Sequence, residues 1–190
     1  MKHTFVEGQA FKNIDFTEKF LQKAEYENCS FEECDFSNAD LSALIFSDCI
    51  FKNCNLSLAK LTKAALRNVD FKQCKMLGIH FEQCNEFGFE ASFERCALDH
   101  SSFYQLKLKN MTFRDSGLKD VDFSNCDLTE AIFDDCDLQN ATFENTILEK
   151  ADFCTARNYR IDPENNRIEK AKFSIYGVAG LLEKYKLDIS

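Results

Sequence analysis

Ten cysteines and three histidines are the residues of this 190-residue chain best equipped for chemistry. Thiolates converging on one point at C-x₂₋₄-C spacing would hold zinc. A thiol beside an imidazole would make a nucleophile. The spacing here serves neither. Cys29, Cys34, Cys49, Cys54, Cys74, Cys84, Cys96, Cys126 and Cys136 share one small position of the repeat, two places before a large apolar residue in all but Cys84, and the close pairs are five apart. Cysteine at such positions behaves as a small hydrophobe; metal or redox sensing through these thiols would show as metal retained on purification. Cys154 alone falls outside the series and is the thiol expected to react first. His3, His80 and His100 are scattered, and no GxSxG, HExxH, Walker or dinucleotide-glycine motif occurs. The expectation is a protein without catalytic residues, cofactor or metal.

The elements that carry these residues follow a period of five. Large apolar residues recur from Phe11 through Phe16, Leu21, Tyr26, Phe31, Phe36 and Leu41 to Phe81, and again from Phe93 to Phe153. The second run is displaced by two, which places a two-residue insertion in "NEFGFE", near 86–91. A five-residue period builds no stripe on a helix and no alternation on a strand. Self-similarity at this scale means a solenoid whose units bury their apolar sides only against neighbours.

The number of units per coil is also readable. With four, residues twenty apart stack, and one column reads Phe11, Phe31, Phe51, Phe71, Phe93, Phe113, Phe133, Phe153 and Phe173. Three or five units destroy this uniformity. Coils about 4.8 Å apart suit offset ring stacking. Glu86 falls in an otherwise apolar column, so that corner is expected to bulge outward.

The units "CDFSN", "ADLSA", "CNLSL", "CDLTE" and "ADFCT" resemble the A(D/N)LXX consensus of the pentapeptide-repeat family over about residues 6–173. The resemblance implies an all-β fold, a right-handed quadrilateral β-helix of about eight coils. The expected organisation is a β-helix over 1–173, with a loop near 154–166, and a C-terminal helix and tail over 174–190.

Net charge is −9, against simple binding of a phosphate backbone, so no direct nucleic-acid contact is expected. No run of 18 apolar residues and no signal-peptide core is present, which reads as a cytoplasmic protein without a membrane span. Charge is banded by segment. Residues 24–48 hold seven acids and no Lys or Arg, whereas 49–75 carry Lys52, Lys60, Lys63, Arg67, Lys72 and Lys75 against Asp70. Residues 112–153 hold eleven acids against three cations. From this last belt Asp115, Asp120, Asp122, Asp127, Glu130, Asp134, Asp135, Asp137 and Glu144 are candidate partner contacts, with Phe87 and Phe89 of the insertion.

After Ser174, a candidate N-cap, Ile175, Val178, Leu181, Leu182 and Tyr185 recur at helical spacing, and Leu187 and Ile189 form a short tail. This segment either caps the last coil or packs across a twofold axis against a second chain. The ending "YGVAGLLEKYKLDI" is similar to the dimerising helix of the quinolone-resistance (Qnr-type) pentapeptide proteins. That resemblance implies a homodimer through Ile175, Val178, Leu181, Leu182 and Tyr185. It also implies an acidic rod that imitates duplex DNA and binds type II topoisomerase, DNA gyrase or topoisomerase IV. The rival is a rigid scaffold for an unrelated protein partner.

Overall fold

The computed structural model describes residues 4–188; His3 and Ile189 lie outside the described residues. The chain winds as a parallel β-solenoid of about eight coils, closed at its C-terminal end by one short helix. The first coil begins with β1 (Phe5–Glu7) and β2 (Ala10–Lys12). β2 opens a nine-stranded sheet that runs the length of one wall to Lys172–Phe173, while β1 opens a four-stranded sheet on the neighbouring wall that ends at Ala65–Arg67.

Register is twenty residues, as in Phe11↔Phe31 and Phe113↔Phe133, and becomes twenty-two across the insertion, as in Phe71↔Phe93 and His80↔Ser102. All nine phenylalanines of the first column form one stack, with centroids 4.6–5.4 Å apart and rings within 22° of parallel. Rings of adjacent walls meet edge-on, as at Phe113–Phe123 (5.8 Å, 76°), so the quadrupoles of the core are matched in two directions.

The corners explain the rest of the repeat. Most residues two places after an inward side chain are left-handed, and with Lys186 of the C-terminal segment 26 non-glycine positions have φ between 48° and 63°. Asn and Asp fill over half of them, the residues that tolerate this region best. The thiol two places before an inward side chain reaches back to a carbonyl of the preceding coil. Cys54 donates to Phe31 O at 3.3 Å, Cys74 to Phe51 O at 3.4 Å and Cys136 to Phe113 O at 3.4 Å. Thr146 and Asn166 make the corresponding bonds to Phe123 O and Phe143 O at 2.9 Å each. The cysteine column is therefore a set of small, weakly donating core residues. Burial pushes Cys49 up to about 11 and Cys84, Cys126 and Cys136 up to about 12, the reverse of what a nucleophile needs.

Two stretches differ from the sequence expectation. Residues 154–166 are less of a loop than expected: Arg157 and Arg167 bridge to Asp137 and Ile147, and Tyr159 and Ile161 are buried. The expected continuous helix after Ser174 is broken into a 3₁₀ turn (Ile175–Gly177), α1 (Ala179–Leu182) and a second 3₁₀ turn (Glu183–Tyr185). Ser174 does accept the Tyr176 amide at 3.2 Å. The break follows from Gly177 and Gly180, which weaken a helix but allow close approach to Tyr159. A Cβ on Gly177 would strike the Tyr159 hydroxyl, and one on Gly180 the Tyr159 carbonyl.

Candidate partner-binding surfaces

The acidic belt is built on corners, and each corner decides what its carboxylate does. Asp122, Asp127 and Asp137 immediately precede an inward residue, and each accepts the amide two places on, at Ser124 (2.9 Å), Thr129 (3.2 Å) and Gln139 (3.2 Å). Asn55 and Asn85 do the same for Ser57 (3.2 Å) and Phe87 (3.0 Å). The Asp or Asn of the repeat is thus a turn-closing acceptor before it is anything else. Burial works against ionisation at Asp127. The Thr129 hydroxyl and amide and Lys109 outweigh it and hold the carboxyl below its ordinary value. At Asp137 burial is likewise outweighed by Asn158, the Gln139 amide and Lys119.

Most of the belt is also paired between coils. Arg114 reaches Asp134 at 3.1 Å, Lys119 reaches Asp137 at 3.6 Å and Lys150 reaches Glu130 at 2.5 Å. From outside the belt, Arg95 meets Asp115 (3.7 Å), His100 meets Asp120 (3.7 Å), Lys109 meets Asp127 (3.1 Å), and Lys172 meets Asp152 (3.1 Å). Glu149 pairs with Arg167. Asp122, Asp135 and Glu144 make no ion pair among the described residues. The nine candidate acids are distributed around all four walls, with no single acidic face. No group of His, Cys, Asp and Glu suited to a metal occurs among the described residues.

The insertion separates its two phenylalanines. Phe89 turns under the bulge and meets Phe81 edge-on at 6.3 Å, whereas Phe87 stands 82% exposed. Glu86 lies outside the core, on the outward bulge expected there.

The C-terminal candidates divide as well. Leu181 packs against the chain's own core, Val178 and Leu182 are half-buried, and Ile175, Tyr176 and Tyr185 are exposed. Lys184 clamps the segment to Asp162 (2.5 Å) and Glu164 (2.7 Å), and Arg160 holds Glu183 at 2.8 Å. The segment is a lid on its own coil, and among the described residues Ile175, Tyr176, Tyr185 and Leu187 are its large exposed hydrophobic side chains.

The family model described as "Pentapeptide repeat region" matches residues 24–88 and 80–155. The chain belongs to the pentapeptide-repeat family. Among solved structures it is similar to trypsin-treated QnrB1, a plasmid-mediated fluoroquinolone resistance protein, at 16% identity. That match covers 100% of this chain and 93% of QnrB1, with a TM-score of 0.71. Full-length QnrB1 matches at 15% identity over 96% of this chain and 100% of its own, with a TM-score of 0.63. HetL, a pentapeptide-repeat protein involved in heterocyst differentiation regulation from the cyanobacterium Nostoc sp. strain PCC 7120, matches at 16% identity. There the coverage is 91% and 87% and the TM-score 0.58. No curated protein matches the chain. At these identities the likeness is one of fold. Among the described residues no helix is long and apolar enough to cross a membrane.

Two features escaped sequence reasoning. The charge pairing one coil apart was visible as soon as the twenty-residue register was known, in alternations such as Lys12–Glu32–Lys52 and Arg114–Asp134. The turn-closing role of Asp left no signal beyond the consensus itself.

Proposed function

We propose that this chain is a non-enzymatic, acidic rod that dimerises through the outer face of its C-terminal lid and binds a type II topoisomerase, DNA gyrase or topoisomerase IV, at the groove that holds duplex DNA. The observation that carries the reading is the 112–153 belt with its net −8, in the coils next to the lid. Eight coils at about 4.8 Å make a rod of about 38 Å, and a lid-to-lid pair near 80 Å, about two turns of duplex. The likeness to QnrB1 over the whole chain is consistent with this. In such a dimer Ile175, Tyr176, Tyr185 and Leu187 meet their copies, while Leu181 stays within its own chain. Binding at that groove would give the protein a means of altering fluoroquinolone action. Supercoiling and cleavage-complex assays with gyrase and a fluoroquinolone test it. Protein at micromolar concentration should change both, and Asp122→Asn, Asp135→Asn and Glu144→Gln combined should weaken the effect.

The second reading is a rigid scaffold for an unrelated protein partner. It is favoured by the cations that pair most of the belt and by Lys60, Lys63 and Lys75, which make no ion pair among the described residues and would repel the cations of a DNA-binding groove. No change in either gyrase assay decides for it.

A further inference from the structure

The two ends of the rod are finished differently. The lid closes the C-terminal end, but nothing among the described residues covers the first coil. Solenoid ends are ordinarily capped with polar surface, because an open coil exposes both core and edge strands. Here the end is more apolar than the walls. Phe11, Val6, Ile14 and Leu21 are only half-buried at the mouth, a cavity of about 380 Å³ that they line with Phe16 and Tyr26. Two aromatic rings stand where the coils above place mostly polar residues, Phe20 at 84% and Phe5 at 51% exposure.

The charges around this mouth alternate wall by wall. Glu7 ends β1, Lys12 ends β2, Asp15 and Glu18 lie on the third wall, and Lys19 and Lys23 on the fourth. Lys12 also reaches Glu32 at 3.0 Å, but Glu7, Glu18, Lys19 and Lys23 make no ion pair among the described residues. Three acids and three cations surround an apolar centre, so the rim is neutral in sum and patterned in detail.

We propose that this mouth is an interface for a second copy of the same chain, joined N-terminal end to N-terminal end. A twofold axis through opposite corners exchanges adjacent walls. It sets Lys12 over the partner's Asp15 and Glu18, and Lys19 and Lys23 over the partner's Glu7, and does so reciprocally. Phe11 then meets Phe16 of the second copy, and Phe16 meets its Phe11, so the two aromatic columns at the mouth cover each other. A head-to-tail arrangement is blocked because the other end carries the lid. With about 200 Å² per aromatic side chain, Phe5 and Phe20 leave roughly 270 Å² of ring exposed on each chain. The two chains together bring about 540 Å² of exposed ring to the contact, well below the about 1,200 Å² of a stable specific interface. The contact is therefore concentration-dependent and distinct from the lid-to-lid dimer proposed above; together the two would string rods into filaments.

The test is sedimentation velocity of the untagged full chain over a wide concentration range, in an Ile175→Asp, Tyr176→Asp background that silences the lid. The remaining self-association should shift to at least about tenfold higher concentration on Phe20→Glu, an exposed position whose change leaves the melting curve unaltered. The decisive pair is Glu7→Lys in one chain and Lys19→Glu with Lys23→Glu in another. Each alone should be monomeric, and their mixture should associate and dissociate with added salt. A background protein that stays monomeric throughout, an unchanged Phe20→Glu, or a mixture that does not associate overturns the proposal, whatever the outcome with gyrase.

Discussion

Replacing Phe113 by alanine removes one ring from the middle of the ladder. Phe113 is fully buried, stacked on Phe93 at 5.4 Å and Phe133 at 5.2 Å, and it meets Phe103 and Phe123 edge-on at 5.7 and 5.8 Å. A buried Phe→Ala change costs about 3–5 kcal/mol, and aromatic contacts add about 0.5–1.5 kcal/mol each beyond area. With four ring partners the loss belongs at the upper end, about 5 kcal/mol. Phe11, half-exposed at the open mouth, has ring neighbours Phe16, Tyr26 and Phe31 and a free face, so its loss should be about half as large. Leucine fills the equivalent place on other walls, and Phe113→Leu keeps volume while deleting the stack, for a loss of about 2 kcal/mol. Urea unfolding followed by circular dichroism, at a concentration below association, measures all three. A Phe113→Ala loss under about 2 kcal/mol, or a Phe11→Ala loss as large as that at Phe113, would refute the ladder as the main support of the rod.

Gly180→Ala should detach the lid, because its Cβ would meet the Tyr159 carbonyl; faster amide exchange at Ile161, which donates to Gly180 O at 3.1 Å, reports it while the coils stay protected. Asp127→Ala should cost on the order of 1 kcal/mol by urea unfolding, and Asp127→Asn only a few tenths, since Asn55 shows that an amide oxygen closes the same turn. A thiol reagent should label one cysteine of the native chain, Cys154, and label it slowly at neutral pH, because hydrogen bonding to Asp152 raises its pKa; mass spectrometry of the labelled protein counts the sites. Asp127, Asp137 and Asp152 are all depressed from 3.8, so the stability they contribute is fully present above that pH and is lost as pH falls through their lower native values; melting temperatures measured downward from pH 5 should drop below pH 4, and less so in Asp127→Asn.

The interior of this protein was legible because each inward position repeats its environment every twenty residues. Phe11 to Phe173 named the number of walls, and Phe71 followed by Phe93 located the insertion. The lid was legible only in part. Helical spacing of Ile175, Val178, Leu181 and Leu182 was real, but the pattern does not say that two glycines must meet Tyr159, and that contact breaks the helix and turns Leu181 inward. The belt residues were legible as charges and illegible as roles. Asp122 and Asp135 look alike in sequence, yet one closes a turn and the other does not, because Asp122 precedes the large inward Phe123 whereas Asp135 occupies the left-handed corner before the small Cys136.

Counting charge along segments overstates what a partner would meet, and the reason lies in the coil spacing. Residues i and i+20 are held about 4.8 Å apart, so like charges stacked in one column are costly and opposite charges pair. Lys12–Glu32, Arg114–Asp134 and Lys172–Asp152 follow this rule. Where the rule fails, a neighbour relieves it: Lys52 stands over Lys72, but Asp70 lies 3.4 Å from Lys72, and Asp115 stands over Asp135, but Arg95 reaches Asp115. At the scale of a contact a partner meets less charge on such a wall than the segment sum of −8 suggests. Recognition by such a rod then concentrates where the lattice is interrupted. Those places are the open mouth with Phe5 and Phe20, the insertion with Phe87, and the lid with Ile175 and Tyr176. Exposed aromatic or aliphatic side chains lie at all three, whereas the regular walls expose few, and binding energy in interfaces resides mainly in such anchors. Any partner of this protein should therefore lose more affinity from Phe87→Ala or Tyr176→Ala than from neutralising a paired acid such as Asp134. Titration of each variant against a bound partner measures that order, and the reverse order would mean that the walls, with their residual field, do the recognising.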